Sequence, residues 1–458
     1  MEIVYSSACA LAGAIRTRQV SATEALDAHL AQIERHNAAL NAVVIRDDAA
    51  ARRRARAADD ALARGELWGP LHGVPHTLKD AFATAGMRTT IGFPPLAEFV
   101  PDEDASVVAR LRDAGAVLVG KSNVATMLGD FQTDNPLFGR TNNPWDIERT
   151  PGGSSGGAAA ALASGMTPFE LGTDLAGSIR WPAHCCGVFG LKPTEHRVSL
   201  AGVVPDPRCT PRSIRIMSSV GPLARSVEDL ALVYSLIAGP DGRDTDVPPV
   251  PLGLDAEPLS LTGVRVAFAP DFPGLPIAAG MRRAVLDLAG ELDRAGAIVD
   301  EARWPAFDLA DALAGTGALI GMALGAFGND GGQPRASLAD YFSALQRRDA
   351  VIATWERFFD DCDVLLCPVS MTNAFAHCEP GSPLLVDGQP VDYHLVSAHT
   401  ALFNYSGHPA LAMPYGLDDQ TLPIGVQLVA RRWEESRLLA VAAAITQHIG
   451  GFRRSPGY

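Results

Sequence analysis

The chain has 458 residues, 47% of them apolar, with a formal net charge of −14. That length predicts two to four domain-sized units, or one large α/β domain with insertions, and the apolar share can fill a substantial core. The acidic balance speaks against a nucleic-acid surface, and no apolar run reaches the roughly eighteen residues of a membrane span.

The first residues show no basic stretch followed by an apolar one, so no secretory signal is expected. Seven cysteines (9, 185, 186, 209, 362, 367, 378) are odd in number and lack C-x-x-C spacing. Neither a disulfide framework nor a zinc site follows from them, and the expectation is a reduced, cytoplasmic protein without metal or cofactor. The basic run Arg52 to Arg56 lies in a helical pattern and reads as a solvated face.

In chain order, Ser21-Ala-Thr-Glu24 reads as a capping box that opens a helix running towards His36. A second helix covers about Asp47 to Arg64, and residues 1–65 form a helical region that packs on the core and offers a homodimer contact. Val74 to Asp80 is a strand leading into a loop and carries Lys79. Ser106 is expected to cap a helix over Val107 to Ala114, followed by a buried strand at Ala116 to Val119. Further helices are expected over Gly157 to Ser164 and Ser226 to Ala238, with a strand at Val264 to Ala269. Helices then dominate to about Phe359. Strands at 364–367, 410–413 and 424–429 and a closing helix over Trp433 to Ile449 complete the chain. This alternation is α/β grammar. It predicts a core of one large mixed sheet surrounded by helices in 66–240 and 361–458, with a mostly helical inserted region at 241–360.

The segment Thr150 to Pro193 carries the chemistry. Gly152-Gly153-Ser154-Ser155-Gly156-Gly157 and Asp174-Leu175-Ala176-Gly177-Ser178 are two serine-bearing turns, and no histidine stands beside either serine. Glycine lets the backbone turn sharply and approach a substrate closely. Gly152 to Gly156 also satisfies G-x-S-x-G, but the nucleophile elbow needs a strand directly before it, and Asn143 to Pro151 is loop sequence. A structural alternative is that both serines merely cap helices. Amide cleavage requires a nucleophile, a base and donors for the developing oxyanion. Lys79 can serve as the base if burial draws its pKa from about 10.4 towards neutrality, and its apolar approach from Val74 to Leu78 would bury the stem. Cys185 and Cys186, beside His184, offer a thiol nucleophile instead, although adjacent cysteines in an apolar run read as core. His72, His76 and His408 lie in loops, where a hydrogen-bonded structural histidine is the expectation.

These motifs resemble the amidase signature family. The two serine turns, Gly73-Val-Pro-x-x-x-Lys79-Asp80, Gly120-Lys-Ser-Asn123, Asn142-Asn-Pro144, Gly190-Leu-Lys-Pro193, Gly221-Pro222 and Leu422-Pro-Ile-Gly-Val-Gln427 stand in the family's order over nearly the whole chain. The resemblance implies the amidase signature fold and a Ser–cis-Ser–Lys triad. In it Ser178 is the acylated nucleophile, Ser154 the bridge on a cis peptide, and Lys79 the base. It further implies an oxyanion hole from the backbone N–H groups of Leu175, Ala176, Gly177 and Ser178. Ser155 is then a support for the lysine, and Asp174 with Arg180 braces the turn.

Two positions depart from the signature. Glu170 stands where a small residue is usual, and Thr126 where many relatives carry an acid. Glu170 is expected either as a paired buried carboxylate or as a contact to a substrate amine. Met127, Asp130 and Gln132 are expected to line the substrate site, within pocket walls drawn from 127–132, 200–215, 319–327 and 393–405. Those walls also bring Arg208, His394 and Asn404. The implied activity is hydrolysis of a small-molecule carboxylic amide by a free-standing enzyme of the bacterial amidase type, without nucleic acid or membrane. The alternatives are the amidase subunit of a tRNA-dependent amidotransferase and a catalytically idle binding protein.

Overall fold

The computed structural model describes residues 2–204, 212–254, 259–326 and 336–458. Helices α1 (Ala8–Arg16) and α2 (Ala22–Leu40) come first, followed by β1 (Val43–Arg46) and α3 (Asp48–Ala63). The capping box forms as expected: the Ser21 hydroxyl accepts from the Glu24 N–H, and the Glu24 carboxylate accepts from the Ser21 N–H. Asp47 caps α3 by accepting from the Ala50 N–H. Next come β2 (Pro75–Lys79), α4 (Ser106–Asp113) and β3 (Val117–Ser122). Ser106 is the first residue of α4, and Ala105 occupies the cap position that the sequence assigned to the serine.

After these lie α5 (Gly156–Ala163), β4 (Phe169–Asp174), α6 (Arg180–Cys186), β5 (Phe189–Lys192), β6 (Ser219–Ala224) and α7 (Val227–Ile237). The region 241–360 holds β7 (Arg265–Phe268), α8 (Ala279–Arg294), β8 (Ile298–Glu301), α9 (Leu309–Gly325) and α10 (Leu338–Phe358). The chain closes through β9 (Val364–Pro368), β10 (Leu384–Val386), β11 (Gln389–Val391), α11 (Ala398–Tyr405), β12 (Ala410–Leu417), β13 (Pro423–Val429) and α12 (Glu435–Ile449).

The core is an eight-stranded sheet of order β4-β6-β5-β12-β13-β9-β7-β8. Neighbours are antiparallel from β4 to β9, whereas β9, β7 and β8 run parallel, so the sheet is mixed. Two features were not expected. β7, α8 and β8 build a parallel crossover on the edge of this sheet, so the region 241–360 extends the core as well as adding helices. Lys79 also sits on a separate three-stranded sheet of order β1-β3-β2.

Helix α5 lies between the two sheets, packed against β2 and β4. All eight of its residues, Gly156 to Ala163, are buried. A helix apolar on every side belongs in a core, and glycine and alanine side chains let two sheets approach it closely. One apolar core joins α1 to α4 to the small sheet, and a second packs α7, α8 and α12 on the large one. Among the described residues no helix is long and apolar enough to cross a membrane.

Candidate active site

Lys79 ends β2, a strand whose five residues are all buried. Its Nζ donates to Ser155 Oγ at 2.7 Å, Thr173 Oγ1 at 2.8 Å and Ser154 Oγ at 2.9 Å. Among the described residues no carboxylate touches it directly. Burial pushes the ammonium down to about 7, opposed by the more distant carboxylates of Asp174 and Glu170. An amine held by three hydroxyls and half deprotonated near neutrality can take a proton from one of them.

The loop carrying Ser154 is seated by close backbone contact. A Cβ on Gly153 would lie 2.5 Å from the Asp130 carbonyl oxygen and 2.7 Å from that of Gln132. The Gly153–Ser154 peptide is cis, as the resemblance implied. No strand leads into Ser154, since β3 ends at Ser122 and α5 is the next helix or strand longer than a single turn. The nucleophile-elbow reading therefore falls. Ser155 occupies the cap position of α5 without making a capping bond, which leaves its hydroxyl to the lysine.

The second turn hangs from Asp174, at the end of β4. Its carboxylate accepts from the backbone N–H of Gly177 at 2.8 Å and of Ile179 at 3.1 Å. Arg180 binds it through Nε at 3.1 Å and Nη2 at 2.9 Å, with both side chains fully buried. Burial alone would raise the Asp174 carboxyl, but the Arg180 guanidinium holds it well below the usual carboxylate range. Arg180 in turn reaches Thr400 O at 2.9 Å, Gln427 Oε1 at 2.7 Å and Asn404 Oδ1 at 2.6 Å. Asp174 and Arg180 thus brace the turn as expected.

Gly177 has φ +120°, and a Cβ there would come within 2.2 Å of Thr400 Oγ1. Only glycine fits that backbone and that gap. Ser178 follows, partly exposed, whereas Ser154 is buried. Of the four N–H groups expected to form an oxyanion hole, that of Gly177 is directed at Asp174 instead. Those of Leu175, Ala176 and Ser178 have no acceptor among the described residues.

The four residues expected at the substrate divide. Met127 is 45% exposed, and Asp130 lines a cavity of about 650 Å3 with Phe131, Tyr393 and His394, where it accepts from the Tyr393 hydroxyl at 2.7 Å. Gln132 is buried and occupied: its amide bonds both the N–H and the carbonyl of Cys378, with Tyr393 Oη at 3.2 Å. Glu170 is fully buried on β4, where its Oε1 accepts from Thr77 Oγ1 at 2.6 Å, the arrangement expected of a buried carboxylate held by a neighbour. Asn404, expected in a pocket wall, belongs to the Asp174–Arg180 brace. Arg208 lies outside the described residues. A larger cavity, of about 1110 Å3, lies against α9 and α10 and is lined by none of Lys79, Ser154 and Ser178.

Thr173, Thr400 and Gln427 were not singled out by sequence reasoning. Gln427 ends one signature motif and Thr173 lies beside Asp174 in another, which was a usable signal for both; Thr400 has no such signal in the sequence. Cys185 and Cys186 are buried core residues whose thiols burial pushes up, which removes them as nucleophiles. His76 is buried, with Nδ1 3.0 Å from Thr77 O and its ring stacked on Phe169, a structural role.

The sequence profile of the Amidase family matches residues 24–322 and 328–439. A glutamyl-tRNA(Gln) amidotransferase subunit from Moorella thermoacetica is 35% identical, with 100% of this chain and 99% of that protein covered. Among solved structures, a chain from a vestigial protein complex bearing on the origins of an s-triazine catabolic enzyme superposes with a TM-score of 0.86 at 31% identity, covering 98% of this chain and 100% of that one. A bacterial aryl acylamidase of the amidase signature family gives a TM-score of 0.85 at 26% identity, covering 97% and 96%. The chain belongs to the amidase signature family and is a hydrolase of carbon–nitrogen amide bonds.

Proposed function

We propose that the chain cleaves a carboxylic amide through Lys79, Ser154 and Ser178, and that it works as the amide-cleaving component of a larger assembly. The observation that carries the first part is Lys79: a fully buried amine, bonded to three hydroxyls, with its proton affinity lowered to about 7. In this reading neutral Lys79 accepts a proton from Ser154 as Ser154 takes one from Ser178. The Ser178 Oγ attacks the amide carbon, and the N–H groups of Leu175, Ala176 and Ser178 stabilise the oxyanion. The proton returns through the same relay to the leaving amine, and water then releases the acid from the acyl-enzyme. Gly177 contributes by shape, because its own N–H is held by Asp174.

The second part follows the sequence relatives. A match over the full chain to one component of a glutamyl-tRNA(Gln) amidotransferase favours the assembly reading over a free-standing enzyme. Glutamine is then the first amide to test. The likeness to the aryl acylamidase keeps hydrolysis by the isolated chain as the second reading. One assay addresses both: ammonia release from glutamine and from a panel of aliphatic and aryl amides, by the chain alone and with the remaining amidotransferase components and charged tRNA. Ser178→Ala is expected to abolish every activity found; near-full activity in that variant refutes the triad. Turnover of simple amides by the chain alone, unchanged by the added components, refutes the assembly reading.

A further inference from the structure

The segment that walls one cavity also packs on both serine turns. The Asp130 carbonyl lies so close to Gly153 that a Cβ there would be 2.5 Å from its oxygen. The Phe131 carbonyl accepts at 2.9 Å from Trp181 Nε1, on α6 just past Ser178. Thr133 Oγ1 accepts from the Gly156 N–H at 3.0 Å and donates to the Gly152 carbonyl at 2.9 Å. These contacts set residues 130–133 directly against the Ser154 loop and the helix that follows Ser178.

The same segment borders the cavity of about 650 Å3. The wall is acidic and aromatic: Asp130 and Asp134 stand with Phe131, Tyr393 and His394, and among the described residues no lysine or arginine lines it. Asp130 is a held carboxylate. Its Oδ1 accepts from the Tyr393 hydroxyl at 2.7 Å, and that phenol, only 1% exposed, accepts from Gln132 Nε2 at 3.2 Å. Its Oδ2 has only the Gln132 N–H, at 3.4 Å, so it keeps capacity for a further donor. Neither Asp130 nor Asp134 has an ion-pair partner among the described residues. His394, the one basic side chain on the wall, is paired with Asp392 at 3.0 Å. A carboxylate fixed by a buried phenol, beside aromatic rings and without a cation, suits an ammonium group: the acid attracts its charge and the ring faces add to that attraction. An anion placed there would meet two carboxylates and no compensating cation.

We propose that this cavity receives an ammonium group carried by the substrate, so that the chain acts on amides with a cationic end. The inference rests on the reading of Ser154 and Ser178 as the site of cleavage. It narrows the substrate class to amides that also bear a free amine, and it sets plain aliphatic and aryl amides apart as poor ligands.

The test uses the Ser178→Ala chain, so that affinity is measured apart from chemistry. Its ligands are pairs of amides that differ by an ammonium in place of a methyl group: β-alaninamide with butyramide, γ-aminobutyramide with valeramide, and δ-aminovaleramide with hexanamide. Saturation-transfer NMR titrations at neutral pH give the Kd of each. In at least one pair the ammonium amide is expected to bind about tenfold more tightly, the scale of a partly buried charge contact with aromatic support. Adding Asp130→Asn, which keeps the size of the side chain and removes its charge, should bring that ratio close to one. Should that variant fail to fold, Tyr393→Phe withdraws the hydroxyl that holds the carboxylate, and the ratio should fall in the same direction by less. Equal affinities in every pair, no measurable binding of any ammonium amide, or a ratio unmoved by the substitution overturns the proposal. Turnover that persists in Ser178→Ala refutes the triad, whereas equal affinities in an inactive Ser178→Ala chain refute this inference alone.

Discussion

Replacing Arg180 with methionine tests the brace on which the second serine turn depends. The guanidinium makes five hydrogen bonds in a fully buried setting: two to Asp174, and one each to Asn404, Thr400 and Gln427. Methionine leaves the Asp174 carboxylate buried without its cation, a loss of about 3–5 kcal/mol. That is a large part of the roughly 5–15 kcal/mol that holds a folded domain. The sign with pH is also determined. In the wild type the depressed Asp174 pKa contributes stability above the unfolded value of about 3.9, and acid removes it. Without Arg180, burial raises the same carboxyl, so between pH 7 and 5 protonation relieves the variant while the wild-type carboxylate stays ionised and its contribution does not change. The gap between the two proteins should therefore narrow as pH falls from 7 to 5. Urea unfolding followed by tryptophan fluorescence measures it, with Trp181 buried beside the substitution. A loss under about 1 kcal/mol, or a gap independent of pH, refutes the claim that this pair is a desolvated ion pair.

Two further outcomes are expected. With Lys79 at about 7, kcat/KM should rise roughly tenfold between pH 6 and pH 8 as the free amine forms; a profile flat across that interval removes the lysine as the base. Gly177→Ala places a methyl group 2.2 Å from Thr400 Oγ1 at φ +120°, so the turn must shift and activity should fall at least a hundredfold while circular dichroism stays native. Full activity in that variant would show that the turn tolerates another geometry.

Much of the site was legible because its chemistry is local. The glycine-flanked serines, Lys79 at the end of an apolar strand, and Asp174 with Arg180 six residues apart all lie in short motifs. The Ser21–Glu24 capping box was equally plain, since it needs only a spacing of three. What escaped was set by contacts distant in sequence. Asn404 reads as a pocket residue until α11 is placed against the end of β4, 230 residues earlier in the chain. Glu170 reads as an anomaly on a strand; only the docking of β2 beside β4 shows the Thr77 hydroxyl waiting for it. β8 was missed for another reason. It is an edge strand with Ile298 54% exposed, and it lacks the alternation that burial of one face imposes. The Gly177 N–H illustrates the limit of motif transfer, since the same glycine that shapes the turn spends its donor on Asp174.

The lysine stands on one sheet, and its hydroxyl partner Thr173 on another. This makes the site a joint between two separately built halves. Neither the three-stranded unit with its helices nor the eight-stranded unit contains a working set of groups alone. Lys79 and Thr173 are 94 residues apart, and Asp174 meets Asn404 across 230, so these pairings close long loops and belong to a slow topology. A partly folded chain in which these sheets have not yet met therefore lacks the hydroxyl partners that hold Lys79 in the interior.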